Sequence, residues 1–295
     1  MQILTLTVSP SDDGKTVRGV LREKLGFSYH AVASLTRTEG GILLNGRRAY
    51  ASAAVRAGDA LQVEAGDRRP PKSDILPCGT PVEILFQDEW LVIINKPAGM
   101  ASLFSRSHPD KPSVPGALAF QYGPDVPFHI VNRLDKGTTG LMVAAKCGYV
   151  HHLLMEQLHS PDFFREYRGI CLGCPQPERG TIDLPIGRDE RSIVARMIRP
   201  DGAPSVTHYE VLEKGARLSL LRLLPETGRT HQLRLHMAAV GHPLAGDWLY
   251  GTENPALIAR PALHSFRLVL RHPVTGERLE LTAPLPEDMA RLMQR

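Results

Sequence analysis

No apolar run long enough to cross a bilayer, about 18 residues, occurs in the 295-residue sequence. The opening MQILTLTVSP lacks the basic segment and long apolar core of a secretion signal. Cysteine is scarce: Cys78, Cys147, Cys171 and Cys174 do not make a disulfide framework at this length. The expectation is a cytoplasmic protein with reduced thiols and no membrane association. A strong charge imbalance is missing too. The formal net charge is +4, with 42% hydrophobic and 22% charged residues, as in a soluble globular chain able to bury a core. That charge permits nucleic-acid binding without demanding it, so the clustering of basic residues matters more than their total. Metal-ligand spacing is wanting as well. His151, His152 and His159 lie near Cys171 and Cys174, but one C-x-x-C without a second ligand pair gives zinc no ligand set, and no metal is expected.

What is present suggests about two domains by length. In residues 1–67, MQILTLTVSP alternates like a strand. Thr16 to Leu25 has Val17, Val20, Leu21 and Leu25 on one helical face, and Gly26 can stop that helix. Ser28 can cap a second helix. A short strand, Ile42 to Leu44, leads into an Asn45-Gly46 hairpin signal, and a last strand follows Gly58-Asp59. Two short helices, a hairpin and a closing strand resemble an S4-like RNA-binding domain. That resemblance implies RNA-phosphate contacts for Arg18, Arg22, Arg37, Arg47 and Arg48; taken singly, each is equally an ordinary solvated arginine. Residues 68–80, with prolines and a charge cluster, read as a linker, and residues 81–295 as a second, larger unit.

The most informative stretch of the second unit is Phe128 to Lys146, FHIVNRLDKGTTGLMVAAK. An apolar run ends in Asn132-Arg133-Leu134-Asp135, a glycine-containing turn follows, and a second apolar run closes it. Strand, turn, strand is the natural reading, with Asp135 at the mouth of the turn. On local chemistry alone, that aspartate is an ordinary turn residue. Elsewhere, DEWLVIINKPAGM is a strand broken by a Pro-Gly turn, Val114 to Tyr122 a short helix, Cys147 to His159 a longer one, and REYRGICLGC a strand. Pro225 to Gly251, PETGRTHQLRLHMAAVGHPLAGDWLYG, reads as a turn running into a helix. Thr230 is its expected N-cap, with Leu233, Met237 and Val240 on one face.

These four segments together resemble the motifs of pseudouridine synthases of the RluA/RluD type. R-L-D-x-x-T-[ST]-G resembles the catalytic motif, DEWLVIINKPAGM the first motif, and Arg165-Glu166-Tyr167 the start of the second. The 27-residue string ending at Gly251 matches the third almost without gaps and is the most specific signal in the chain. Two departures stand out: Asn132 where relatives usually carry His, and Thr139 where Ser is commoner. The resemblance implies an α+β protein, an S4-like module joined to a catalytic domain with a mixed, mostly antiparallel central sheet.

It also implies a reaction: breaking the N1–C1′ bond of a uridine in structured RNA, turning the uracil and rejoining it through C5. No atoms are gained and no redox change occurs, so no cofactor is expected. The partner would be rRNA ahead of tRNA, and the protein a monomer. Asp135 would act beside the ribose, Arg234 would keep that carboxylate ionised, and Tyr167 would stack on the base. Arg133, Thr138, Thr139, Arg229, His231 and Leu263 would contact the substrate. Whether Asp135 attacks the sugar or removes a ribose proton stays open. Two other readings compete: an RNA-binding module without turnover, and a metal-dependent hydrolase, which would need clustered ligands.

Overall fold

The computed structural model of the chain describes residues 2–67 and 75–294. The expected linker falls partly on residues 68–74, outside the described residues. Before it run β1 (Ile3–Thr7), α1 (Val17–Leu25), α2 (Tyr29–Thr36), β2 (Ile42–Leu44), β3 (Arg47–Arg48) and β4 (Ala60–Glu64). Local chemistry sets these boundaries. The Thr16 and Ser28 hydroxyls accept from Gly19 N and Ala31 N at 3.1 and 3.2 Å, capping the two helices. Gly26 ends α1 in the left-handed region, and Asn45 and Gly46 turn the β2–β3 hairpin at φ 50° and 75°. The strands form an antiparallel sheet in the order β1-β4-β2-β3. Val17, Val20, Leu21 and Val32 of the helices share one core with Leu4, Ile42, Leu61 and Val63 of the sheet.

The second unit opens with β5 (Glu83–Gln87), β6 (Leu91–Lys96), α3 (Val114–Tyr122), β7 (His129–Ile130), β8 (Thr139–Ala145) and α4 (Gly148–Gln157). It continues through β9 (Phe164–Leu172), β10 (Arg179–Asp183), β11 (Ile186–Arg188), β12 (Arg196–Ile198), β13 (Val206–Lys214) and β14 (Leu218–Pro225). The last elements are α5 (Gln232–Ala239), β15 (Leu263–Arg271), β16 (Arg278–Thr282) and α6 (Glu287–Met293). Eight strands line up as β10-β13-β14-β9-β15-β8-β6-β5, with β16 beside β15 and β7 beside β8, while β11 and β12 form a separate hairpin. The β8–β15 pair is parallel and the other pairs are antiparallel, so the central sheet is mixed. Every residue of β8 is buried, as expected of a strand covered on both faces.

The β8–β15 contact is unusually close. Gly140 sits at φ 108°, and a Cβ there would lie 2.2 Å from the Ser265 carbonyl oxygen. Only glycine allows both that angle and that approach. The segments before and after residues 68–74 share one apolar core, which runs from Leu4, Val17 and Leu21 to Leu91, Leu141 and Val150. At α4 the Phe27 ring stacks on Tyr149 at 4.3 Å, and Tyr149 Oη donates to the Leu25 carbonyl at 2.6 Å. Asp67 receives the Gly148 N–H at 2.9 Å and pairs with His129 at 2.6 Å. Among the described residues, no helix is long and apolar enough to cross a membrane.

Candidate active site

The segment between β7 and β8 is held from several sides. Asn132 is buried, and its Oδ1 accepts the Val143 N–H at 2.8 Å, tying the segment's start to β8. The Ser102 hydroxyl accepts from Leu134 N at 3.0 Å. Thr138 N donates to Asp135 O at 3.0 Å, closing the turn. The Lys96 ammonium is fully buried at the end of β6 and donates to three carbonyls, those of Pro97 and Met100 at 2.9 Å and Lys136 at 3.3 Å. Burial pushes its pKa down to about 7, against the pull of the Asp135 carboxylate. From the other side Arg260 donates to Gly137 O at 3.2 Å. Asp135 therefore projects from a turn whose backbone has little freedom, and its side chain keeps 20% exposure.

Facing it is the first turn of α5. Arg234 Nη1 approaches Asp135 Oδ2 at 3.3 Å, while Nε and Nη2 of the same guanidinium reach both oxygens of Asp247 at 2.7 and 2.8 Å. Asp247 is fully buried and also receives the N–H groups of Leu249 and Tyr250 at 3.0 and 3.2 Å. Two carboxylates thus hold one guanidinium. The bidentate partner fixes its plane, and the remaining nitrogen meets the exposed carboxylate. Burial works against the Arg234 charge, but the Asp247 bond and the two carboxylate charges raise its pKa overall.

Between these elements lies a cavity of about 720 Å³. Asp135, Arg133, Thr138, Tyr167, Arg229, His231, Arg234 and Leu263, eight of the nine site residues expected in this unit, line it. Arg133 and Arg229, joined by Arg165, are the basic residues of its wall beside Arg234. Thr138 Oγ1 is buried with no hydrogen-bond partner among the described residues. Tyr167 is 7% exposed, and burial raises its hydroxyl above the ordinary tyrosine pKa, so it remains a neutral phenol.

The ninth residue, Thr139, is not part of that lining. It is the first residue of β8, and its hydroxyl bonds to His264 Nδ1 at 2.8 Å, away from the cavity lining. Thr138 lies in the turn just before the strand, on the cavity side, while the Thr139 hydroxyl is taken by His264. Thr230 does not cap α5 either. The N-cap is His231, at φ 59° and without a side-chain capping bond. Val240 terminates that helix and is 38% exposed, so it leaves the apolar face to Leu233 and Met237.

Lys96, Asp247 and Tyr250, which hold the Asp135 turn, Arg234 and His231 in place, were not singled out from the sequence although all three stand inside the matched motifs. Ser102 and Arg260 carried no signal in the sequence. The five arginines expected to contact RNA from residues 1–67 lie outside this cavity. Arg18 and Arg22 line a second hollow with Tyr29, between α1 and α4, and Arg18 sits 4.9 Å over the Tyr29 ring. Arg37, Arg47 and Arg48 are exposed. Among the described residues, no group of three or more His, Cys, Asp or Glu is placed to hold a metal ion.

Comparison with known proteins gives the same direction. Residues 90–239 match the family described as RNA pseudouridylate synthase. The ribosomal large subunit pseudouridine synthase D of Escherichia coli strain K12 is 35% identical over 308 residues, covering 99% of this chain and 93% of that protein. An uncharacterized RNA pseudouridine synthase of Bacillus subtilis, YjbO, is 35% identical over 274 residues, covering 92% and 96%. Among solved structures, human RNA pseudouridylate synthase domain containing 4 superimposes with a TM-score of 0.58 at 26% identity, over 72% of this chain and 92% of that one.

Proposed function

The chain belongs to the RNA pseudouridylate synthase family, and from that premise we propose that it isomerises specific uridines of large-subunit ribosomal RNA, as a cofactor-free monomer, with Asp135 as the group that acts on the ribose. The observation that carries the reading is the Asp135–Arg234–Asp247 chain at 3.3, 2.7 and 2.8 Å on the wall of the cavity. A carboxylate beside C1′ must be ionised whether it attacks that carbon or removes the 2′ proton. A guanidinium anchored by a second, buried carboxylate supplies a fixed positive charge that favours this state.

The reaction breaks C1′–N1, forms C1′–C5, moves the C5 proton to solvent and gives N1 a proton. The uracil has to be retained while it turns, and the Tyr167 ring and Leu263 offer it flat and apolar walls. The unpartnered Thr138 hydroxyl is available to the nucleotide. Arg133, Arg165 and Arg229 suit the phosphates flanking a uridine drawn out of its stack. The first unit, read as S4-like, would add backbone contacts through Arg18, Arg22, Arg37, Arg47 and Arg48, and the units would divide near residues 68–80.

The preference for ribosomal RNA draws on the names of the relatives that resemble this chain along most of its length. Carbodiimide mapping of pseudouridine in RNA from a strain lacking the gene tests it. At least one large-subunit site should disappear and return on complementation. Loss confined to transfer RNA would contradict the substrate assignment while leaving the reaction intact.

A further inference from the structure

Beside Arg234, a second group approaches Asp135. His231 Nε2 lies 4.0 Å from Oδ1, the carboxylate oxygen that Arg234 does not take. The other ring nitrogen, Nδ1, is 2.9 Å from Tyr250 Oη. That same oxygen receives the Arg196 N–H at 2.8 Å. An amide can only donate, so Oη accepts there and keeps its own hydrogen for Nδ1. Giving that hydrogen to Nδ1 leaves the ring hydrogen for Nε2, the nitrogen nearer the carboxylate. The opposite tautomer would press two donors on one oxygen and turn the Nε2 lone pair towards Asp135.

Resting on the reading of Asp135 given above, we infer that His231 is a positioning residue for Asp135, a neutral Nε2–H donor whose tautomer is set by Tyr250. Three features support this. Tyr250 is not among the residues lining the cavity, and its hydroxyl is engaged by His231 Nδ1 and the Arg196 N–H. The Tyr250 N–H binds Asp247, so one buried carboxylate anchors both arms, Arg234 onto Oδ2 and Tyr250–His231 towards Oδ1. His231 itself sits in the left-handed region at the start of α5, with its ring making no capping bond and its Nε2 4.0 Å from Asp135.

The charged groups around the ring are Asp135, Arg234, Arg196 and Asp247. Burial, with the two guanidinium groups, holds its pKa below the ordinary imidazole value despite the two carboxylates. A neutral ring can orient the carboxylate without protonating it, which a histidinium in the same place would risk. The 4.0 Å separation is longer than a hydrogen bond, as is common before substrate closes a site.

The test is single-turnover conversion of an RNA fragment under saturating enzyme, together with the RNA Kd, for Tyr250→Phe, His231→Asn and the double variant. Asn tolerates the positive φ of position 231. Tyr250→Phe and His231→Asn should each slow conversion about 10-fold, the scale of one lost hydrogen bond, with Kd within about 2-fold of wild type. The double variant should be no slower than His231→Asn alone, because both act through one arm. ¹⁵N spectra of the wild type at neutral pH should show His231 protonated on Nε2 and bare on Nδ1, a signature that a merely structural role would not require.

Wild-type conversion by Tyr250→Phe, losses that add in the double variant, losses confined to Kd, or an Nδ1-protonated ring would each overturn the inference. Asp135→Asn run alongside separates the two levels. If it is inactive while Tyr250→Phe is normal, only this inference fails; if it still isomerises uridine, the reading of Asp135 fails and takes the inference with it.

Discussion

The cleft of the second unit and the basic face of the first hold arginines in opposite ways. In the cleft Arg234 is 5% exposed and locked between Asp135 and Asp247. On the first unit Arg22, Arg37, Arg47 and Arg48 stand in solvent, and Arg18 and Arg48 lie against the exposed rings of Tyr29 and Tyr50 at 4.9 and 5.6 Å. A buried charge needs every partner fixed, so chemistry there requires many residues at set positions. A surface that attracts phosphate needs only positive charge in roughly the right place. The cleft should therefore fail sharply when a partner is altered, and the basic face should fade gradually.

The largest expected effect is at a residue with no chemistry of its own. Gly140→Ala forces a Cβ into the Ser265 carbonyl at a positive φ, and should cost at least about 4 kcal/mol, enough to leave little folded protein. Chemical denaturation measures this, and a near-wild-type midpoint would show that β8 and β15 can separate cheaply. Next comes Asp247→Asn, which leaves Arg234 buried with Asp135 as its one carboxylate partner. A loss of about 3–5 kcal/mol in stability, with activity falling more than Asp135 exposure to RNA can explain, would mark Asp247 as the root of the site. If stability and rate were unchanged, Arg234 would need no second anchor.

The smallest effect separates the two regions most cleanly. Arg18→Ala with Arg22→Ala should weaken RNA binding and reduce the salt slope of log K by about 2, one phosphate contact each. The single-turnover rate at saturating enzyme should not move. A slope unchanged within error would remove these arginines from the RNA-binding surface, and a slowed chemical step would mean that the basic face reaches the cleft.

The same contrast decides what was legible in the sequence. Boundaries set by local chemistry could be read directly: α3 runs from Val114 to Tyr122 because Ser113 caps it and Gly123 ends it. The β7–β8 strand-turn-strand and the Asn45-Gly46 hairpin were equally visible. Asp135 and Arg234 are 99 residues apart, so no periodicity brings them together; they were found because motif resemblance carries tertiary information that local pattern does not.

Tertiary detail beyond the motifs stayed hidden. The parallel pairing of β8 with β15 depends on Gly140 meeting a strand more than a hundred residues later. The grip of Asp247 on Arg234 lies inside a matched string, but a string does not say which members touch. The motif resemblance implies a substrate contact for Thr139, but a string does not show that its hydroxyl meets His264 Nδ1 at 2.8 Å. His231 took the N-cap position from Thr230 because its backbone adopts a left-handed angle that sequence reading assigns to glycine or asparagine first.

The most direct test of the central claim is tritium release from RNA carrying [5-³H]uridine, comparing wild type with Asp135→Asn at equal, saturating enzyme. Joining C1′ to C5 must expel the hydrogen on C5, which neither binding nor hydrolysis requires. Release by the wild type, with none by a folded Asp135→Asn protein that still binds RNA, is the predicted result. Release by Asp135→Asn at the wild-type rate would contradict the account, because the carboxylate that the whole cleft is built to hold would then be dispensable.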